Sequence, residues 1–163
     1  MLFVNSQGQM LAGLRPKRSY LPHIQSVRHM NTILSESSDN FYFHNVSFGY
    51  NKNEDCDELN IFLVEGEYAD HDTPKRLAKI TFLAPIMWQQ MEESHSSFDE
   101  YEIRDDGGLI QIIERSRYFD FVNTTYPWYK DIRGKAQHIR VWSQNIVSEV
   151  IAKDFPAVVW QYA

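Results

Sequence analysis

Large apolar residues alternate with small or polar ones from Asn40 onward, and this alternation sets the elements that can be expected. Phe41-Tyr42-Phe43-His44-Asn45-Val46-Ser47-Phe48 predicts a strand with Phe41 and Phe43 inward. The alternation slips at Asn45, so Val46 and Phe48 return to the inward face only across a bulge. Asn51–Asp57 is a polar turn, and Leu59–Val64 a second strand with Leu59, Ile61 and Leu63 on one face. An acidic loop, Glu65–Pro74, leads into a third strand, Leu77–Trp88. There Ala78, Ile80 and Phe82 point inward and Pro85 marks a bend or an edge position.

The second half mixes two periods. Tyr101–Arg104 reads as a weak strand, Asp106-Gly107-Gly108 as a turn, and Leu109–Glu114 as a fourth strong strand. Ser116 is placed to accept an orphan N–H at the start of a short helix, Arg117–Thr124. Tyr118, Phe119 and Val122 recur there at helical spacing, and Pro127 ends the helix. Trp128–Lys135 is expected as a loop and Gln137–Trp142 as a fifth strand. Ser143 or Asn145 is then expected to cap a second short helix with an Ile146, Val147, Val150, Ile151 stripe. Pro156 stops it before a last strand, Ala157–Tyr162. The expected fold is therefore α+β: a mainly antiparallel meander with one wet face, curved or closing into a partial barrel, and two short helices. Residues 1–29, with Pro16 and Pro22 and a broken apolar pattern, read as an arm on a single domain spanning 30–163.

Length and composition agree with one core. A chain of 163 residues with 43% hydrophobic and 14% aromatic content can bury a sizeable interior. No apolar stretch is long enough to cross a bilayer, and Met10-Leu11-Ala12 stops at Gly13, too short for a secretory core. Cys56 is the only cysteine, so an internal disulfide is excluded, and its neighbours Asp55 and Asp57 disfavour a reactive thiolate. Both features suit a cytoplasmic protein.

Charge changes the picture more. The net charge of −6 is the sum of unequal parts. Residues 1–29 hold four bases and no acid, and residues 50–106 hold fifteen acids against five bases. An acidic middle repels phosphates, which argues against nucleic acid as a partner, and favours a basic protein.

Candidate chemistry is sparse. Asp70-His71-Asp72 offers three metal donors in a row, but adjacent side chains of an extended chain diverge. No spaced His or Cys pair supports a metal site. There is no glycine-rich phosphate loop and no nucleophile elbow, and no cofactor is implied. His138, Arg140 and Trp142 share a strand face, either as a binding surface or as Arg140 stacked on an aromatic ring. Trp128 and Tyr129 are loop aromatics, suited to binding if exposed and to anchoring if buried.

The segments FYFHNVSFGY, ELNIFLVEG, LAKITFLAPIMW, GLIQIIERSRYFDFV and QHIRVWSQNIVSEVIAKDFPAVV follow one another over roughly residues 40–160. In this order, with Ser116-x-Tyr118 and the run from His138-Ile139-Arg140 to Pro156, the chain resembles small bacterial proteins. Among them are immunity proteins of contact-dependent growth inhibition. The basic residues 1–29 depart from that pattern. The resemblance implies a protein that binds and neutralises a cognate toxin domain. Charge suggests the contacts: Asp55, Asp57, Glu58, Glu65, Glu67, Asp70 and Asp72 on two loops at neighbouring strand ends, and Glu92, Glu93, Asp99 and Glu100 as a second patch. The alternatives are a small hydrolase using loop carboxylates, which needs a pocket of convergent polar groups, and a structural adaptor subunit.

Overall fold

The computed structural model describes residues 40–66, 76–95, 99–105 and 107–162; the arm expected at 1–29 lies outside them. β1 (Phe41–Asn51) and β2 (Cys56–Glu65) form an antiparallel hairpin, with the register shift between Phe43 and Asn45 that the slipped alternation predicted. Asn51 organises its turn, its side-chain oxygen accepting from the backbone N–H groups of Asn53 and Glu54. β3 (Arg76–Leu83) pairs with β2, and β9 (Ala157–Tyr162) with β3, giving a four-stranded sheet in the order β1-β2-β3-β9.

The strand expected over Leu77–Trp88 is two strands in two sheets. β3 ends at Leu83, Ala84 takes a positive φ of 46°, and β4 (Met87–Glu92) starts a second sheet. Pro85 has no N–H for a ladder, so it sits where the chain leaves one sheet for the other. The second sheet, antiparallel throughout, adds four strands to β4. They are β5 (Ile103–Arg104), β6 (Ile110–Arg115), β7 (Gln137–Trp142) and β8 (Ile146–Ala152), in the order β4-β8-β7-β6-β5.

β8 replaces the second expected helix. Its Ser143 does make the bond that suggested a cap: the hydroxyl accepts from Ile146 N–H at 3.3 Å. The Ser143 N–H, however, donates to Ile146 O, which closes a hairpin between β7 and β8. Ile146, Val147, Val150 and Ile151 are all β-branched, which favours a strand. Every residue of β8 after Ile146 is buried, because protein covers both faces of this strand. A strand buried on both faces reads as a continuous apolar run, which a helical stripe also fits.

The two sheets pack face to face over one core. Leu59, Ile61, Leu63, Ala78, Ile80 and Phe82 of the first meet Ile110, Ile139, Val141 and Val150 of the second, all at most 2% exposed. Among the described residues the two sheets stay open rather than closing into a barrel. The β7–β8 turn ties the sheets, with Gln144 N–H donating to Phe41 O and Phe43 N–H to Asn145 Oδ1. A third layer covers part of the second sheet's outer face. It comprises α1 (Arg117–Thr125), which Ser116 caps by accepting from Phe119 N–H, and α2 (Tyr129–Arg133), a short helix where a loop was expected. Gly134, at a φ of 81°, ends α2 in a conformation other residues rarely adopt. Val122, Tyr129 and Ala136 pack on Ile151 there, while Trp128 stays exposed. Tyr129 is thus the anchor of the pair, and its hydroxyl donates to Asn123 Oδ1.

Candidate functional site

Antiparallel register assembles a polar row on the outer face of the second sheet. Arg140 lies opposite Glu149, Glu149 opposite Gln89, and Gln111 opposite Arg140. Four adjacent strands thus each contribute one polar residue. Arg140 donates from Nε to Glu149 Oε1 at 3.0 Å, and one terminal nitrogen adds a second bond to the same oxygen. Glu102, just before β5, receives a bidentate pair of bonds from Arg140 at 2.7 Å each. Gln89 Nε2 donates to Glu149 Oε2 at 2.8 Å. The three charged side chains are nearly buried, at 5–12% exposure. Burial works against the Arg140 charge, but the two carboxylates outweigh it and raise its pKa. The guanidinium also lies 5.8 Å from the Trp142 ring, so the stacking expected on this face is present together with the ion pairs.

His138, one step along β7 from this row, is fully buried. Its Nδ1 is 2.8 Å from Ser116 Oγ, the α1 cap. Among the described residues its Nε2 has no hydrogen-bond partner, and it lies 3.8 Å from Glu149 Oε2. Burial pushes its pKa down to about 4, with Glu149 opposing and Arg140 adding to the fall, so the ring is neutral at neutral pH. Tyr118 stands edge-on to His138 at 5.5 Å, its hydroxyl likewise without a partner among the described residues and its pKa raised by burial and by Glu149. The Ser116, His138, Glu149 sequence has the membership of a hydrolytic triad but not its working geometry. Ser116 is a buried cap, the imidazole is a weak base, and Glu149 is occupied by Arg140 and Gln89.

A pocket of about 260 Å³ opens above the row. Gln89, Arg140 and Glu149 form its floor, Met91, Val147 and Trp142 the next row of the sheet, and Ser116, Arg117, Tyr118, Asp99 and Glu102 its walls. Asp99 accepts from Arg117 Nε, which holds its carboxyl below the usual range. Glu102 and Glu149 likewise bond a guanidinium, whereas a carboxyl that must donate a proton needs apolar surroundings.

The two expected acidic patches fare differently. Of Glu92, Glu93, Asp99 and Glu100, only Asp99 lines this pocket. Glu92 alternates to the other side of β4 from the lining residue Met91, though its carboxylate lies 3.8 Å from the lining residue His95, and Glu100 is exposed next to Asp99 in the chain. The described members of the first patch do not form one surface. Asp55, Asp57 and Glu58 lie where β2 begins and Glu65 where it ends, roughly 25 Å apart at ~3.3 Å per residue. A hairpin turn and the next connection necessarily leave a strand at opposite ends. Asp55 and Asp57 are exposed, but Glu58 is held by Asn51 and Asn60, whose side-chain bonds lower its pKa. Glu65 is paired with Arg76, which in turn stacks on Trp160 at 4.9 Å. Glu67, Asp70 and Asp72, with the Asp70-His71-Asp72 run, lie outside the described residues. Among the described residues no group of three or more His, Cys, Asp or Glu is placed to hold a metal, and no helix is long and apolar enough to cross a membrane.

Sequence reasoning missed Gln89, Glu102, Ser116, Tyr118 and Glu149 as site residues. One signal was available: reading Ser143–Asn145 as a hairpin turn places Arg140 opposite Glu149. Comparison with known proteins returned no matching family model, no matching curated protein and no matching solved structure.

Proposed function

We propose that this chain is a binding protein that captures a basic protein partner at the acidic mouth of the pocket on its second sheet. In its sharpest form the partner is a cognate toxin domain, which the chain neutralises in the cytoplasm as an immunity protein. The observation that carries the reading is the clustering of charge: residues 87–105 contain six acids, Glu92, Glu93, Asp99, Glu100, Glu102 and Asp105, against Arg104 as the one Lys or Arg. Two of them, Asp99 and Glu102, line one pocket together with Glu149. Such a field steers a basic partner and speeds its association. Toxin domains that cut nucleic acid carry cationic surfaces for phosphate, so an acidic inhibitor competes for the same surface. Resemblance to immunity proteins over residues 40–160 points the same way.

The test is capture of the product of the neighbouring gene and measurement of its affinity against salt. Tight binding that weakens steeply with ionic strength, and that Glu92→Lys with Glu93→Lys and Glu100→Lys abolishes, is expected. Binding that is indifferent to salt and to the triple reversal refutes it.

A further inference from the structure

We infer that the pocket above Arg140 and Glu149 is a receptacle for a single cationic side chain, a lysine ammonium or an arginine guanidinium, projecting from the partner. The inference rests on the binding role proposed above and adds where the partner's cation goes.

Size limits the occupant. Pockets for drug-sized ligands run from ~300 to ~1,000 Å³. At about 260 Å³ this one suits a side chain. Charge selects its sign. Asp99, Glu102 and Glu149 line the pocket against Arg117 and Arg140, three acids to two bases. The two guanidiniums are already engaged, Arg117 with Asp99 and Arg140 with both glutamates. An incoming anion would meet three carboxylates and two cations already paired with them.

Hydrogen-bonding capacity favours an occupant that donates. Glu149 Oε2 receives one bond, from Gln89, and a carboxylate oxygen accepts two. The Tyr118 hydroxyl, of a residue that also lines the pocket, has no partner among the described residues. Polar groups buried this deeply are normally satisfied. Carboxylate and phenol oxygens accept from an N–H donor, and a lysine brings three such donors and an arginine five. The rest of the lining fits the stem of such a residue, since Met91, Val147 and Trp142 offer an apolar wall for methylenes below a charged head.

The probes are tetralysine, tetra-arginine and tetralysine acetylated at every Nζ, titrated into the full chain at low salt by calorimetry. At least one cationic peptide is expected to bind, the acetylated peptide about tenfold or more weaker, and Glu149→Gln to weaken binding about tenfold. Tyr118→Phe removes only an unpartnered hydroxyl, so it is expected to fold as the native chain does and to bind about threefold more weakly. Cationic peptides that bind Glu149→Gln and Tyr118→Phe as tightly as the native chain, but fail on the triple rim reversal, overturn the receptacle and leave the proposed function standing. Absence of binding by both cationic peptides overturns the receptacle and the acidic-surface reading together.

Discussion

His138→Asn is expected to remove an acid-sensitive part of the protein's stability. The imidazole is fully buried, packed among Ile113 and Ile151 of the neighbouring strands and Tyr118 and Phe119 of α1, with Glu149, Arg140 and Glu102 the charges that act on it. Burial dominates and lowers its pKa from 6.5 to about 4. The unfolded chain takes up a proton at this residue below about pH 6.5, whereas the folded chain refuses it until about pH 4. Stability from this group is therefore intact above pH 6.5 and is lost as pH falls toward 4. At ~1.4 kcal/mol per decade, the loss between about pH 7.5 and about pH 4.5 comes to about 2.5 kcal/mol. Asn keeps an amide atom near the Nδ1 position facing Ser116 but carries no titrating ring. The cavity it leaves costs a constant amount at every pH, so the informative quantity is the change with pH in the difference between the two proteins. Urea unfolding across that range should show the native chain losing about 2.5 kcal/mol more than His138→Asn. A difference that stays constant to within about 0.5 kcal/mol over the range would show that His138 titrates alike in both states, and the argument for a buried neutral imidazole would fail.

Other substitutions probe the same architecture. Arg140→Met leaves Glu102 and Glu149 buried without their cation and is expected to cost about 3–5 kcal/mol in urea unfolding; a loss below about 1 kcal/mol would mean the carboxylates are solvated. Ser116→Ala removes the α1 cap and the partner of His138 Nδ1, for a loss of about 1–2 kcal/mol and faster amide exchange at Phe119; unchanged exchange there contradicts the capping role. Ile139→Ala opens a hole where the two sheets meet and should cost about 2–5 kcal/mol, which a thermal melt reads directly. Asp55→Asn with Asp57→Asn changes only exposed carboxylates and should leave stability within about 0.5 kcal/mol of native.

Legibility along the chain followed the number of faces that water touches. The first hairpin has one wet face, so alternation showed both strands and even located the bulge near Asn45. Phe48, expected inward, is 56% exposed nonetheless. It shares a face with buried Leu59, but sits on the outermost strand toward the turn, where parity is right and cover is lacking. α1 was readable because its start and stop are chemical: the Ser116 hydroxyl before it and Pro127 just after it. β8 was not, because its alternation is erased by burial on both faces. The acids were legible as charge but not as position, since sequence distance placed Glu65 with Asp57 when an eight-residue length of strand separates them.

Local pattern and turn chemistry, which act over a few residues, were enough to specify a mainly antiparallel α+β protein, the ends of β7 and β9, the capped helix and the acidic character of residues 50–106. The division of one apolar run into two sheets at Pro85, the strand identity of β8 and the pocket were decided by tertiary structure. The reason is range. Gln89 meets Glu149 across 60 positions and Glu102 meets Arg140 across 38. Such pairs depend on strand order and register, and those are set by how two sheets and a helical layer share one core rather than by any periodicity a single segment carries.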